Sequence, residues 1–268
     1  YLWLRSSKSL LCYRFEAEVL PRLFAPTEAL TVFEWQVRFL LLQEGVLLSA
    51  EAPQEEAGAW EFHDRLFYAE STDGTTLSPT GVRFELQGSA PSLYKEPMVD
   101  EARCIALPEV ALSEERSFVE VLHARRTDRH FSEAVLPLPL LSTFLRESMQ
   151  MQQEVPSGLS KEDWVSLRPS PSGGARHALE CYLRIDRVEG LAPGLYHYLP
   201  QQHALEPLPF GEEAWKTTAR LCYPFRTKSD FPPQVCCFYA ARLRRISWKY
   251  TGIAYRLALL DLGYLLQT

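Results

Sequence analysis

The run Arg168-Pro169-Ser170-Pro171-Ser172-Gly173-Gly174-Ala175-Arg176-His177 constrains this chain more than any other stretch of it. Its prolines stiffen the approach, and the glycine pair lets backbone come close to a flat ring or an anionic group. N–H groups exposed in such a turn can polarise a carbonyl or a ring nitrogen. The spacing is neither GxGxxG nor a Walker loop, which needs Gly-Lys-Ser/Thr. An ordinary turn fits the same residues, so the run gains meaning only from what surrounds it.

Three zones surround it. In the first, residues 1–50, Leu2, Leu4, Leu10 and Leu11 flank a short extended stretch ending at Tyr13-Arg14-Phe15. Thr31 followed by Glu34 has capping-box spacing and predicts a helix with Phe33, Val37, Leu40 and Leu41 on one face. It should end at Gly45, with Val46-Leu47-Leu48 starting a strand, a winged-helix-like pattern. Only Arg38 is basic on that helix, which favours a peptide-binding or structural role over nucleic acid. Residues 51–116 read as a connector. Trp60, Phe62, Phe67 and Tyr68 make an aromatic helical stripe, and Gly74, Pro79, Gly81, Gly88, Pro91 and Pro97 punctuate a stretch expected to drape over another surface.

The third zone, 117–268, alternates helices with strands. Phe118, Val121 and Leu122 predict one helix face, and Leu138, Leu141, Phe144 and Leu145 a second helix over 138–150. A polar stretch at 151–163 reads as mobile. Strands are expected at 180–185, 194–198 and 235–240, and 251–267 as a buried, Leu-rich helix. The fold class implied is α+β.

Composition removes several functions. Hydrophobic residues make up 46% of the 268 and charged residues 23%, a globular profile. The net charge of -6, with Lys and Arg dispersed, argues against a nucleic-acid partner. The cluster Arg242, Arg244, Arg245 reads as a solvated face or a pocket rim. No apolar run approaches the roughly 18–20 residues of a membrane span, and no signal peptide opens the chain. Six scattered cysteines without a CxxC pair suggest free thiols in a reducing cytoplasm, and no His/Cys/carboxylate spacing matches a metal site. His177 and His197 read as hydrogen-bonded, half-buried side chains. The chain opens on Tyr1 and its last helical pattern reaches Gln267-Thr268 uncapped, which reads as a fragment or a processed product.

Arg125-Arg126-Thr127-Asp128-Arg129 puts three guanidiniums and a hydroxyl within five residues, a composition suited to a phosphate monoester or to a solvated helix end. With His130 and Phe131 this segment resembles the phosphate-binding signature of the nitroreductase superfamily, Thr127 replacing the usual Ser. The Pro171-to-Arg176 run resembles the flavin-facing loop of one branch, the SagB-type thiazole/oxazole-forming dehydrogenases acting on ribosomally made peptides. The similarity continues through Gly194-Leu195-Tyr196-His197-Tyr198, Leu205-Glu206-Pro207-Leu208, Trp248-Lys249-Tyr250, Ala254-Tyr255-Arg256, Asp261 and Gly263. It covers most of residues 60–268.

The resemblance implies a nitroreductase-like FMN-binding domain behind the small N-terminal module, with the family's C-terminal helix and strands absent from this sequence. Arg125, Thr127 and Arg129 would hold the FMN phosphate; Arg126 would do the same or pair with a carboxylate. Pro171, Ser172, Gly173 and Gly174 would line the isoalloxazine, and Gln267 stands where a flavin-facing Gln-Asn pair begins. Lys249 and Tyr250 match the family's catalytic pair. Tyr264 stands where His is common. The implied partners are a leader-bearing peptide substrate, a second copy in a homodimer and a cyclodehydratase. Making an azole from an azoline removes a Cα proton and a neighbouring hydride; FMN accepts the hydride, and the protein supplies orientation and a base. Desolvation favours the neutral amine of a lysine, so Lys249 would take the proton or activate Tyr250. A small-molecule reductase using NAD(P)H and a cofactor-free peptide-binding scaffold remain as alternatives.

Overall fold

A computed structural model describes residues 2–5, 10–13, 19–43, 67, 71, 81–83, 86, 88–110, 116–222 and 231–268. Two compact units divide the chain, one of residues 1–84 with 250–253, the other of 85–249 with 254–268.

In the first unit, β1 (Leu2–Arg5) and β2 (Leu10–Tyr13) pair antiparallel, Leu2 opposite Tyr13. A short helix, α1 (Val19–Arg22), leads to α2 (Val32–Gln43). The capping box is made: Glu34 N–H donates to Thr31 Oγ1 at 3.2 Å, and Thr31 N–H to Glu34 Oε2 at 2.8 Å. The helix presents a different face inward from the one its apolar residues imply. Leu41 and Glu34 are buried with Leu23, whereas Phe33 and Leu40 are exposed. Glu34 is retained inside because Arg22 pairs with it at 2.5 Å, holding its carboxyl down at about 2 together with the Thr31 hydrogen bonds. Trp35 and Phe39 stack on the outer side with ring centroids 5.3 Å apart. The strand expected at 46–48 lies outside the described residues, as do Trp60, Phe62 and Tyr68 of the aromatic stripe.

The second unit contains β3 (Ile105–Ala106), α3 (Phe118–Ala124), α4 (Leu138–Met149), β4 (Gln153–Pro156), β5 (Trp164–Leu167), β6 (Leu179–Ile185) and β7 (Gly194–Leu199). It continues with β8 (Ala204–Leu208), α5 (Glu212–Cys222), β9 (Val235–Ala241), α6 (Leu243–Ser247) and α7 (Ala254–Gln267). Five strands form an antiparallel sheet in the order β3-β8-β7-β6-β9. Side chains alternate across a strand, so one face carries Cys181, Leu183, Ile185, Tyr196, Tyr198 and Leu205. These pack with Leu141, Leu145 and Met149 of α4 and Leu265 of α7 into the core. Each such side chain contributes roughly 1.5–3 kcal/mol on burial.

The opposite face is polar yet also covered. His197 sits between two carboxylates, Nε2 to Glu180 at 2.9 Å and Nδ1 to Glu206 at 3.0 Å, and is fully rather than half buried. Arg242 donates to Glu180 at 3.2 Å, and the Val99 and Met98 N–H groups donate to Glu206. Burial pushes the Glu180 carboxyl up, but the His197 hydrogen bond and the His197 and Arg242 charges outweigh it and hold it below its ordinary value. The Lys95 ammonium donates to Tyr182 at 2.7 Å, and the Tyr182 ring stacks on His197. Residues 91–99 thus drape over the sheet, as their prolines suggest. Arg184 lies 3.4 Å above the Trp215 ring of α5.

Two expectations need correction. The segment 151–163 is not loose: β4 pairs with β5, Gln153 opposite Leu167 and Pro156 opposite Trp164. Helix α7 is not buried all round. Only Ala258, Asp261 and Leu265 are buried, while Tyr255, Leu259, Leu260, Tyr264 and Leu266 are exposed, because a helix buries only the stripe that packs on its neighbours. Helix α3 forms with its capping box of Ser117 and Glu120, but none of its residues is buried and Phe118 is 77% exposed.

Candidate functional site

The proline–glycine loop is anchored by α7. Ser172 Oγ donates to Asp261 Oδ2 at 2.6 Å and Gly173 N–H to Asp261 Oδ1 at 2.9 Å. The Ser172 hydroxyl accepts in turn from His177 N–H at 2.9 Å. Gly173 packs closely on α7: a Cβ there would lie 3.2 Å from a Leu257 methyl, which would have to give by a few tenths of an ångström. The chain then turns through three left-handed residues, Gly174 (φ 62°), Ala175 (φ 54°) and His177 (φ 41°). For the two that carry a Cβ this costs of order 1–3 kcal/mol each, so the anchors must hold the loop against strain. Beneath it lies a cavity of about 20 Å³ bordered by Met149, Arg168, Ser172, His177, Asp261 and Leu265. That is room for one water.

Burial raises the Asp261 carboxyl above its ordinary value, against the opposing pull of the Ser172 hydroxyl and the Gly173 N–H. Asp261→Ala removes both anchors and leaves two donors unpaired. It should cost about 1–3 kcal/mol, whereas Asp261→Asn retains an acceptor and most of the stability. Urea unfolding of the two variants separates these outcomes, and equal losses would mean that packing, not hydrogen bonding, ties the loop to α7.

His177 is pushed down to about 3, first by burial, then by the charges of Arg168 and Arg245. It is neutral in the fold, whereas in the unfolded chain it takes a proton near the ordinary histidine value of 6.5. The unfolded state therefore binds the extra proton between those values. Stability is full above about pH 6.5 and falls as pH drops, by up to about 1.4 kcal/mol per unit for this one group. His203, also held down by burial, adds a contribution of the same sign. Unfolding free energies measured at pH 7.5, 6.5, 5.5 and 4.5 should fall in this way. In His177→Phe one proton's worth of slope should vanish, and an unchanged slope would refute the assignment.

At its far end the loop is locked by a buried ion pair. Arg176 donates through both terminal nitrogens to Asp163, each at 2.6 Å, and both side chains are 0% exposed. The Arg176 guanidinium also lies 5.0 Å from the centre of the Trp248 ring. Its carbonyl accepts from Arg245 Nε at 2.6 Å, and Arg245 further donates to the carbonyls of Pro91, Ser92 and Trp164. Burial and the nearby guanidiniums push Arg245 down to about 10. Two motifs distant in sequence, the glycine loop and Trp248-Lys249, therefore meet through Arg176 and Arg245. Composition had set Arg245 on a solvated face or a pocket rim; it borders a cavity beside residues 89–92 but is itself buried, its guanidinium satisfied by the carbonyls of Pro91, Ser92, Trp164 and Arg176.

The remaining candidates are placed as follows. Arg125 ends α3, and Arg126, Thr127 and Arg129 follow it, all exposed. Arg126 donates to the carbonyls of His123 and Arg125, and Asp128 holds His130. Among the described residues no hydrogen bond or ion pair joins Arg125, Thr127 or Arg129 to loop 171–174. Lys249 follows α6, half-buried, with its N–H on the Ile246 carbonyl at 3.1 Å. Tyr250 belongs to the first unit, bridged to Val82, where Thr251 N–H meets the Gly81 carbonyl at 2.7 Å. Gln267 is the last residue of α7 and is exposed. Sequence reasoning missed Asp163, which no motif flags, and gave Asp261 no role.

No family model matches the chain. It is 28% identical over 97 residues, 35% of this chain and 26% of the relative, to the trifolitoxin-processing protein TfxB of Rhizobium leguminosarum bv. trifolii. Over 101 residues, 38% of this chain and 44% of the relative, it is 30% identical to MJ1384, a candidate nitroreductase of Methanocaldococcus jannaschii. The chain thus spans about a quarter of one curated relative and under half of the other. A solved structure of a candidate nitroreductase from Anabaena variabilis superposes with a TM-score of 0.50 at 23% identity, covering 75% of this chain and 36% of that one. The fold is nitroreductase-like α+β.

Proposed function

We propose that this chain is the flavin-binding part of an FMN-dependent dehydrogenase that oxidises azoline rings in a ribosomally made peptide. The observation that carries the reading is the junction of the glycine loop with Trp248-Lys249 through the buried Arg176. The nitroreductase-like fold supports a redox role, and the similarity to a trifolitoxin-processing protein supports a peptide as substrate.

The donor set fits FMN in part by chemistry. Arg125, Thr127 and Arg129 are exposed and offer charge-assisted bonds to a phosphate. Gly173 and Gly174 present backbone without side chains, although Gly173 N–H is already taken by Asp261. The small cavity under the loop holds no ring, so the flavin's other wall comes from a second copy. The exposed apolar sides of α3 and α7 suit that partner, since soluble monomers rarely leave such surface in water.

When bound, FMN supplies a two-electron acceptor for a hydride. The chain's own contribution is a stiff loop wall held by Asp261 and Asp163, and a base at Lys249, with Tyr250 next to it in sequence. The N-terminal module would hold the leader, a cyclodehydratase would supply the azoline, and free thiols such as Cys181 and Cys237 suit the cytoplasm.

The visible spectrum of the purified protein tests the reading. Flavin absorbance and conversion of a thiazoline peptide to thiazole are expected; colourless protein that takes up no FMN would overturn it. The similarity to a candidate nitroreductase favours a second reading, reduction of a small molecule with NAD(P)H. Rapid NADPH consumption without peptide would select it.

A further inference from the structure

The polar face of the sheet brings two cysteines together under α5. Cys236 of β9 stands directly opposite Arg184 of β6, and residues paired in this way point to the same face of a sheet. Arg184 reaches α5 from that face, donating to the Trp215 carbonyl and, at 3.1 Å, to Thr218 Oγ1. Cys222, the last residue of α5, lies four residues beyond Thr218 and so on the same side of the helix. There the two thiols meet in a hydrogen bond that lowers Cys222 and raises Cys236, so Cys236 is the donor. Both are half-buried and keep some access to solvent, whereas Cys181, which contacts Cys237, is 1% exposed in the core.

The pair is asymmetric. Burial raises both thiols, but at Cys222 the Cys236 hydrogen bond and the Arg184 charge pull the other way. Cys222 is therefore the better attacking sulfur and Cys236 the one that resolves. A link here would also have something to hold. Helix α5 buries none of its side chains and is tied to the sheet through the Arg184 guanidinium, which bonds it and stacks on Trp215. An element with so little burial opens readily, and a covalent bond at its last turn would oppose that opening.

We infer that Cys222 and Cys236 close to a reversible disulfide when a small disulfide such as oxidised glutathione is present, clamping the end of α5 to β9. The Cys222 thiolate attacks one sulfur of oxidised glutathione, forming a mixed disulfide and releasing one glutathione thiolate. Cys236 then gives up its proton, attacks the Cys222 sulfur and releases the second. Two protein thiols are oxidised, one glutathione disulfide is reduced to two thiols, and the two protons pass to glutathione. The inference does not depend on the flavin reading. To test it, the intact chain is incubated with oxidised glutathione, remaining thiols are blocked with N-ethylmaleimide, and unreduced tryptic peptides are mapped by mass spectrometry. The peptide holding Cys222 should be linked to the one holding Cys236 and Cys237, and dithiothreitol should release it. The link should vanish in Cys236→Ser, with glutathione trapped on Cys222, and persist in Cys237→Ser; circular dichroism checks that both variants fold. Amides of residues 215–222 should exchange at least tenfold more slowly in the oxidised parent than in the reduced one. Cys222 and Cys236 both blocked by N-ethylmaleimide after oxidation, or a Cys181–Cys237 link formed in preference, would overturn the pairing. A Cys222–Cys236 link that leaves exchange in α5 unchanged would overturn the clamp.

Discussion

Asp163→Ala should lower the unfolding free energy by about 3–5 kcal/mol, because it strands a guanidinium with no route to water. Arg176 has no exposure, both terminal nitrogens are spent on Asp163, and its Nε has no partner. Burial raises the Asp163 carboxyl, but the hydrogen bonds from Arg176 and Ser157 and the charges of Arg176 and Arg245 win and hold it below its ordinary value. The pair is thus ionised and mutually dependent. Removing one partner costs far more than the pair contributes over an apolar substitute. Asp163→Leu combined with Arg176→Met should accordingly be less damaging than either single change, a coupling that a double-mutant cycle in urea reads directly. Additive losses would mean that the charges act independently. On the proposed flavin-site reading, FMN affinity should also fall in Asp163→Ala under conditions where the protein is still folded, because Arg176 closes the glycine loop.

The parts of the fold legible in the sequence were those written in local periodicity. Leu183 and Ile185 alternate with Tyr182 and Arg184, and β6, β7 and β9 fall within a residue or so of where that alternation puts them. Thr31 announces its helix because a cap is a contact between residues three apart. What stayed hidden depends on partners distant in sequence. The alternation at Glu180, Tyr182 and Arg184 looks like a solvent face, and nothing local says that residues 91–99 and α5 cover it. Phe33 and Leu40 look like core, yet α2 turns Glu34 inward because Arg22 neutralises it. The leucines of α7 predict burial, but only every third or fourth residue is buried. At the site, the loop was visible through Pro and Gly, whose backbone preferences are local. Asp163 was invisible because one acidic residue in a polar stretch carries no pattern. The β4–β5 hairpin hid for the same reason, its strands being short and mostly polar.

On the proposed azoline-dehydrogenase reading, Lys249→Ala should reduce azoline oxidation by about 10²- to 10⁴-fold, the range that a positioned general base supplies, while flavin absorbance and FMN affinity stay unchanged. The position of this lysine follows from its neighbours. Trp248 is buried under Arg176 and donates its indole N–H to the Gly88 carbonyl at 3.3 Å, and Arg245 fixes α6 by three segments at once. A side chain one residue beyond such an anchor has its backbone fixed and only its own torsions to order, which suits proton transfer in a set geometry. The loss should fall on kcat rather than KM, since a base acts in the transition state and not in holding the peptide. Lys249→Arg discriminates further. It keeps the charge but cannot give up its proton at neutral pH, so a base role predicts no rescue, whereas a purely electrostatic role predicts substantial recovery. Arg176→Met provides the contrast: it disturbs the loop and Trp248 together, so flavin binding and turnover should fall in parallel. A Lys249→Ala variant that lost flavin as well would therefore assign the lysine to the cofactor's support and not to the proton.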